Sequence, residues 1–304
     1  PFKIILFRPK WIIVRTSPPL IQQAAQFWGS LIGAKTICWL MDYHPLIECQ
    51  LLKNKFGFKA ISRFLDEFDR FFLNKFYLII CADSAMESLC NKRAPNGNIM
   101  RFPTWSNEPK YQPLNNFLTD RLNLIYAGNL GKGHDLSTFE RLLNGISSKK
   151  QCIMHYLGTD TNAIHAFSEI CKRTGTLFQS HNFQDSLHSF YKSNRIHYGL
   201  ILMKGSMNGL ISPSKYTGYI FNGIPIIYIG PEKTNSAEIC SKFRAGIRIS
   251  PSTPDNDIDK YSEEIINPEN HASYCKNLTK AIEHYTSHES STLAKILCEY
   301  IETS

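Results

Sequence analysis

The sequence predicts two doubly wound α/β domains, each built on a parallel sheet. Three observations carry that prediction. Short, continuous runs of β-branched and aromatic residues recur along the chain, separated by stretches with apolar residues at helical spacing. Strands covered by helices on both faces read this way. The chain has 304 residues, more than one compact core usually serves. A Pro- and Asn-rich segment, Ala94–Asp120, breaks the pattern before it restarts, and it reads as a loop and interdomain linker.

Taken in order, the first strands are WIIVR (Trp11–Arg15), AKTICWL (Ala34–Leu40) and YLIICA (Tyr77–Ala82). Between the first two, PLIQQAAQFWGSLIG has helical spacing with Gly33 as its stop. After the third, DSAMESLCNK opens a helix with Asp83 or Ser84 as N-cap and Glu87 behind it. RLNLIYAG (Arg121–Gly128) starts the second domain as a strand, followed by the helix STFERLLNGI. CIMHYLG (Cys152–Gly158), YGLILM (Tyr198–Met203) and PIIYIG (Pro225–Gly230) are further strands. LAKILCEYIE is an amphipathic helix able to pack back across the junction. The expected division is residues 1–120, 121–285 and a C-terminal helix at 286–304.

Composition sets the class. A hydrophobic content of 43% with 20% charged residues is that of an ordered globular chain. The formal net charge of +8 suits anionic partners in general, from sugar nucleotides to acidic membranes. No nucleic-acid motif or aromatic-interleaved basic stripe accompanies it, so nucleic acid is not an expected partner. The nine cysteines are scattered without a CxxC pair, which fits a reducing, cytoplasmic setting. No apolar run is long enough to span a bilayer. The opening stretch, FKIILFRPKWIIVRTSPPL, is basic and aromatic. It reads equally as a membrane-surface segment or as an ordinary helix-to-strand passage.

Ligands of open parallel sheets bind beyond the carboxyl ends of the strands, so the loops there are the candidates. YAGNLGKGHDL (Tyr126–Leu136) brings Gly128, Gly131, Gly133 and the cation of Lys132 near a helix start, which suits phosphate. A plain structural turn accounts for it as well. In GLISPSKYTGYIFNG, Ser214 and Lys215 sit at another helix start, where a diphosphate or a simple cap both fit. Asp42 and His44 follow the second strand and could contact an acceptor hydroxyl, orient one another, or be structural. Arg15 and Ser17 follow the first strand, with capping of the next helix the leading role for Ser17. The remaining histidines show no metal-binding spacing.

Taken together, these loops resemble the glycosyltransferase family 4 enzymes. RTSPPL looks like that family's "tSPPl", LMDYHPLIE resembles its "DYHPe" element, and YAGNLGKGHDL is similar to "YaGnlG..hdl". SPSKYTGYIFNGIPIIYIGP resembles "vPSK.y.YlaaGrPii", nearest to the subgroup that builds bacterial O-antigen, capsule and exopolysaccharide. The resemblance runs nearly the length of the chain. It implies a GT-B fold and transfer of a sugar, with retention, from a UDP-, GDP- or dTDP-sugar to a saccharide or polyprenyl-linked acceptor. No cofactor or metal is implied as a requirement, and the expected place is the cytoplasm, with peripheral association at the inner face of the plasma membrane left open. Gly128, Asn129, Lys132, Ser214 and Lys215 would hold the donor diphosphate. Asp42 and His44 would be catalytic, and Arg15 and Ser17 would lie on the acceptor side.

Two departures stand out. Where many family members carry a pair of glutamates, this chain has Leu210 and Gly218. The family's first strand and glycine-rich loop also have no counterpart here, so the expectation is an incomplete N-terminal domain. Leu210 and Gly218 keep open a catalytically silent nucleotide- or glycan-binding partner, and a GT-B epimerase of UDP-sugar is a further alternative.

Overall fold

The structure is a computed structural model that describes residues 2–53, 55, 57–105, 120–286 and 290–302. Its first part runs α1 (Phe2–Phe7), β1 (Trp11–Arg15), α2 (Ile21–Leu31), β2 (Lys35–Leu40), α3 (Leu46–Leu52), α4 (Phe58–Leu73), β3 (Leu78–Cys81), α5 (Ser84–Arg93) and β4 (Ile99–Arg101). The four strands form a parallel sheet in the order β1-β2-β3-β4. Local chemistry explains the boundaries. Gly33 ends the α2 turn at φ +73°, a conformation open to glycine at little cost. Asp83 caps α5 by accepting from the Met86 amide at 3.0 Å.

The second part runs β5 (Arg121–Ala127), α6 (Leu136–Ser147), β6 (Gln151–Leu157), α7 (Thr161–Thr174), β7 (Leu177–His181), α8 (Leu187–Ser193) and β8 (Tyr198–Leu202). It continues with α9 (Lys215–Ile220), β9 (Ile226–Ile229), α10 (Asn235–Ser241), β10 (Gly246–Ile249), α11 (Asp255–Ile266), α12 (Pro268–Thr286) and α13 (Ser290–Glu302). Its sheet is fully parallel, in the order β10-β9-β8-β5-β6-β7. The chain starts in the middle at β5, winds outward to β7, then returns to the other side of β5 as β8. That reversal makes the β5/β8 crevice the topological switch point, where such sheets bind ligands.

Three strands lie outside the sequence expectation. β4 has only three residues and falls inside the Pro/Asn segment, most of whose length (106–119) lies outside the described residues. β7 is an edge strand with a largely exposed face, so it lacks the apolar run of a central strand. β10 has four residues, one of them arginine.

Apolar burial organises the layers. Leu122, Leu124, Tyr126, Met154 and Leu200 face α6, α7 and α11 on one side of the second sheet. On the other side the core runs on without a break into the first domain, joining Ile125, Ile201 and Met207 to Met86 and Cys90. α13 packs Leu293, Leu297 and Tyr300 against Ile37, Leu78, Trp11 and Trp39, so the end of the chain covers the first sheet.

The domains are also stitched by polar contacts. The Tyr43 amide donates to the Leu210 carbonyl at 2.7 Å, beside an antiparallel bridge between Asp42 and Ile211. The Ala85 amide donates to the Lys233 carbonyl at 3.0 Å. Asn235 Nδ2 donates to the Ala82 carbonyl, and Tyr216 Oη to the Thr104 carbonyl. Gly209, at φ +77°, lies so close to Ala85 that a Cβ would sit 3.0 Å from its carbonyl oxygen. Only glycine fits that approach.

Candidate active site

The carboxyl ends of the two sheets face each other, and their loops enclose a cavity of about 490 Å³. From the first domain come Arg15 at the end of β1, then Met41, Asp42 and His44 after β2, with Ile47 and Leu51 of α3. From the second come Gly131, Lys132, Gly133 and His134 after β5, and Met207, Ile211 and Ser212 to Lys215 after β8. Lys132 and Lys215 therefore share one cavity, although 83 positions separate them in sequence.

The second-domain wall is fixed by packing at the sheet centre. Tyr219 of α9 lies over Gly199 of β8, where a Cβ would come within 2.3 Å of its ring. Its hydroxyl accepts from the Ala127 amide at 2.9 Å. α9 is thereby held over β5 and β8, with Ser214 and Lys215 at its leading end. Lys215 stretches past Gly128, whose hypothetical Cβ would be 3.3 Å from Lys215 Cε, and its Nζ lies 4.9 Å from the Tyr126 ring centroid. Burial lowers the Lys215 pKa, with Asp42 pulling it back up. Burial among protein atoms raises Asp42, opposed by His44, Lys215 and Arg15. Asp42 nonetheless keeps an open face toward the cavity.

The first-domain wall is fixed by a polar scaffold. His44 Nδ1 lies 2.6 Å from Glu48 Oε1, one helical turn on, and its carbonyl accepts from Gln22 of α2. Behind Asp42, the Tyr43 hydroxyl donates to Asp69 at 3.1 Å and accepts from Arg93 Nε at 3.1 Å. Arg93 also pairs with Asp66 and Asp69, at 2.6 and 2.9 Å. Burial raises Asp69, and Arg93 is its main counterweight.

A second cavity of about 500 Å³ begins at Gly128, the neighbour of Lys215. It is lined by Ala127, Gly128, Asn129, Leu157, Gly158, Thr159, Phe183, Gln184, Asp185 and Leu187. Gly128 and Asn129 thus line this cavity and not the one holding Lys132, Ser214 and Lys215. Phe183 is 87% exposed at its rim.

Several sequence expectations need revising. Ser17 lines neither cavity, and it does not cap α2. That helix begins at Leu20 in the left-handed region without a side-chain cap, and the Ile21 amide goes to the Pro18 carbonyl. The start of α6 is not open to an anion, because Asp135 caps it at the Thr138 amide. The Leu130 amide is taken by Asp160. Charge from that loop therefore comes through Lys132, with Lys204 bonded to the Lys132 carbonyl at 2.8 Å. His134 and Glu48 were not singled out in the sequence. His134 lies inside the same glycine loop, and Glu48 stands at i+4 from His44, so both carried a readable signal.

Leu210 is buried and Gly218 faces open space, so neither former glutamate position supplies a carboxylate. The cavity offers an anion three cations (Arg15, Lys132, Lys215) and one facing carboxylate, from opposite walls.

Two parallel Rossmann-like sheets with facing carboxyl ends can be compared directly with known structures. Sucrose-phosphate synthase from Thermosynechococcus elongatus superposes at a TM-score of 0.66, over 100% of this chain and 76% of that one, at 10% identity. The Anabaena protein Alr3699/HepE, solved in complex with UDP, gives 0.66 over 100% and 82%, again at 10% identity. The fold is GT-B. WaaG, a glycosyltransferase involved in lipopolysaccharide biosynthesis, covers 92% of this chain and 95% of its own at 0.55 and 10% identity. No protein-family profile matches the chain, and no curated sequence does. In GT-B terms the two cavities are the interdomain cleft and a recess on its second-domain wall. Among the described residues no helix is long and apolar enough to cross a membrane.

Proposed function

We propose that this chain is a cytoplasmic glycosyltransferase of cell-surface polysaccharide synthesis, related to glycosyltransferase family 4. It moves a sugar from a UDP-, GDP- or dTDP-sugar to a saccharide or polyprenyl-linked acceptor, with retention. One observation carries the reading: Arg15, Lys132 and Lys215 converge on one cavity at the switch point of a GT-B fold. The UDP in the Anabaena neighbour supports a nucleotide donor.

In this reading the diphosphate lies against Lys132, Ser214 and Lys215, and the nucleoside enters the recess beyond Gly128. Its base rests on Phe183. As the bond from the anomeric carbon to the diphosphate oxygen breaks, the electron pair stays with the diphosphate. Fixed cations facing that oxygen lower the barrier because they need no reorganisation as charge builds. The acceptor oxygen bonds to the anomeric carbon on the face the diphosphate leaves, and its proton passes to the departing diphosphate. Asp42 and His44 hold hydroxyls of the transferred sugar and acceptor, with Glu48 fixing the imidazole.

Nucleotide release from a panel of sugar nucleotides and acceptors tests the reading. Turnover is expected in the wild type and lost in Lys215→Ala. Unchanged rates in that variant refute the diphosphate role. A second reading is favoured by Leu210 and Gly218, which leave the cleft without the glutamate pair: a partner subunit that binds nucleotide without turning it over. Calorimetry showing nucleotide binding, with no transfer to any acceptor, would establish it.

A further inference from the structure

His155 interrupts the apolar run of β6. It is 2% exposed and lines neither the cleft nor the recess. It lies instead on a third cavity, of about 400 Å³, at the end of the second sheet opposite the cleft. There Asp120 and Arg121 lead into β5, and Arg195 precedes β8.

Two buried side chains form the floor. Asn123, 9% exposed, is held in one orientation. Its backbone amide donates to His197 Nδ1 at 2.9 Å, and its Nδ2 donates to the Arg195 carbonyl at 3.1 Å. A carbonyl only accepts, so Nδ2 is the atom that faces Arg195 and Oδ1 is left over. That oxygen is buried with no partner among the described residues. His155 Nδ1 lies 3.0 Å from His181 Nε2, with the two rings stacked. Its Nε2 is likewise buried without a partner among the described residues. Burial, with His181 and His197 nearby, pushes the His155 pKa down to about 4, so the ring is neutral at neutral pH. Buried polar atoms are nearly always hydrogen-bonded, and two unpartnered ones lining one cavity point to a ligand.

The exposed rim adds charge. Arg121 and Arg195 bring two guanidiniums, and neither forms an ion pair among the described residues. Arg121 is oriented by its Nε bond to Gln151 at 2.7 Å. Among the described residues of the lining, Asp120 is the one carboxylate, so positive charge prevails.

These groups define a chemistry. Guanidiniums select carboxylate or phosphate. Asn123 Oδ1 requires a donor, which an ionised acid group by itself lacks. A neutral imidazole nitrogen bonds a hydroxyl in either sense. An anion that also carries hydroxyls meets all of these demands. The volume is at the small end for ligand pockets and suits one sugar ring. Asp120 and Gln179 offer partners for its further hydroxyls.

We propose that this cavity binds a monosaccharide-sized, polyhydroxylated anion. Its acid group meets Arg121 and Arg195, and a hydroxyl meets Asn123 Oδ1 and His155 Nε2. The site is separate from the cleft and does not rest on the function proposed above.

Calorimetric titration with glucuronate, glucose 6-phosphate, glucose and inorganic phosphate tests it. At least one of the two hydroxylated anions should bind about tenfold or more tightly than either glucose or phosphate. The better of the two identifies the acid group. Arg195→Gly removes a guanidinium and relaxes a backbone at φ +48°. It should melt no lower than wild type and bind at least about fivefold more weakly. His155→Phe keeps a ring against His181 and should weaken binding about tenfold. Should that variant not fold, the imidazole nitrogen resonances of wild-type His155 give the same answer by moving as the anion is added. Lys215→Met, altered only in the cleft, should bind as wild type does. No binding of either anion overturns the proposal, as does affinity no greater than that for glucose or phosphate. So do His155 resonances that stay fixed, since water alone then serves the floor. Binding that Lys215→Met loses and Arg195→Gly keeps would put the anion in the cleft and overturn it too. Failure of nucleotide release with this binding intact would count against the proposed function alone.

Discussion

Lys215→Met separates the charge at residue 215 from its packing. Methionine keeps an unbranched stem beside Gly128 and the Tyr126 ring while removing the ammonium. Two unit charges about 4 Å apart interact by about 4 kcal/mol at an effective dielectric near 20. Arg15 and Lys132 share the same cavity and carry part of that load. The expected loss is therefore about 2.7–4 kcal/mol of barrier lowering, roughly 10²–10³ in kcat, as for removal of one preorganised electrostatic contact. Stability should move the other way. Burial lowers the Lys215 pKa in the folded chain, so the unfolded chain binds that proton more tightly. The group therefore costs stability at neutral pH, and that cost is relieved as pH rises from the folded pKa to the unfolded value near 10.5. Removing the charge should leave Tm equal or higher while transfer collapses. Donor affinity of the wild type should fall as pH rises through the lowered pKa. Nucleotide-release kinetics with a thermal melt on the same sample measure both. A variant that melts like wild type and turns over within about threefold of it refutes the electrostatic argument.

Other variants probe the remaining geometry. Phe183→Ala should weaken nucleotide binding by about 1–3 kcal/mol, read by calorimetry, with Tm unchanged because the ring is exposed. Gly209→Ala meets both a positive φ and the Ala85 carbonyl, so it should lower stability by about 1–3 kcal/mol in denaturant melts. Arg93→Met leaves Asp69 buried without its cation and should cost about 3–5 kcal/mol in the same assay. That loss should shrink on acidification, as protonation of the raised Asp69 carboxyl removes the unpaired charge.

The central strands were legible because burial on both faces writes itself as continuous apolar runs, as in YLIICA and YGLILM. β7 and β10 were not, since an exposed edge strand and a four-residue strand need no such run. At the cavity, Lys132, Lys215, Asp42 and His44 could be named from their places after strands. Lys132 and Lys215 follow strands of one sheet, and the resemblance already put them on one diphosphate. How Asp42 and His44 meet them could not be read, because that depends on how the two domains lie against each other. The Asp135 cap and the Ser17 misassignment have a common cause. Side-chain oxygens near a helix start look alike in sequence, and local backbone geometry decides which one bonds. The buried glutamines of α2 were invisible for a related reason: their partners, Asp69 and Thr36, lie elsewhere in the chain.

The rung between Tyr43 and Leu210 has a consequence for recombination. The loop bearing Asp42 and His44 is spliced, peptide to peptide, to the loop leading into Lys215, so the halves of the molecule are not interchangeable modules. A chimera that takes one half from a cousin inherits half a rung. A slip of one residue there would carry Asp42 about 3.3 Å along the splice. Exchanging residues 42–44 and 209–211 as a set is the way to move either half between relatives and keep the groups in step.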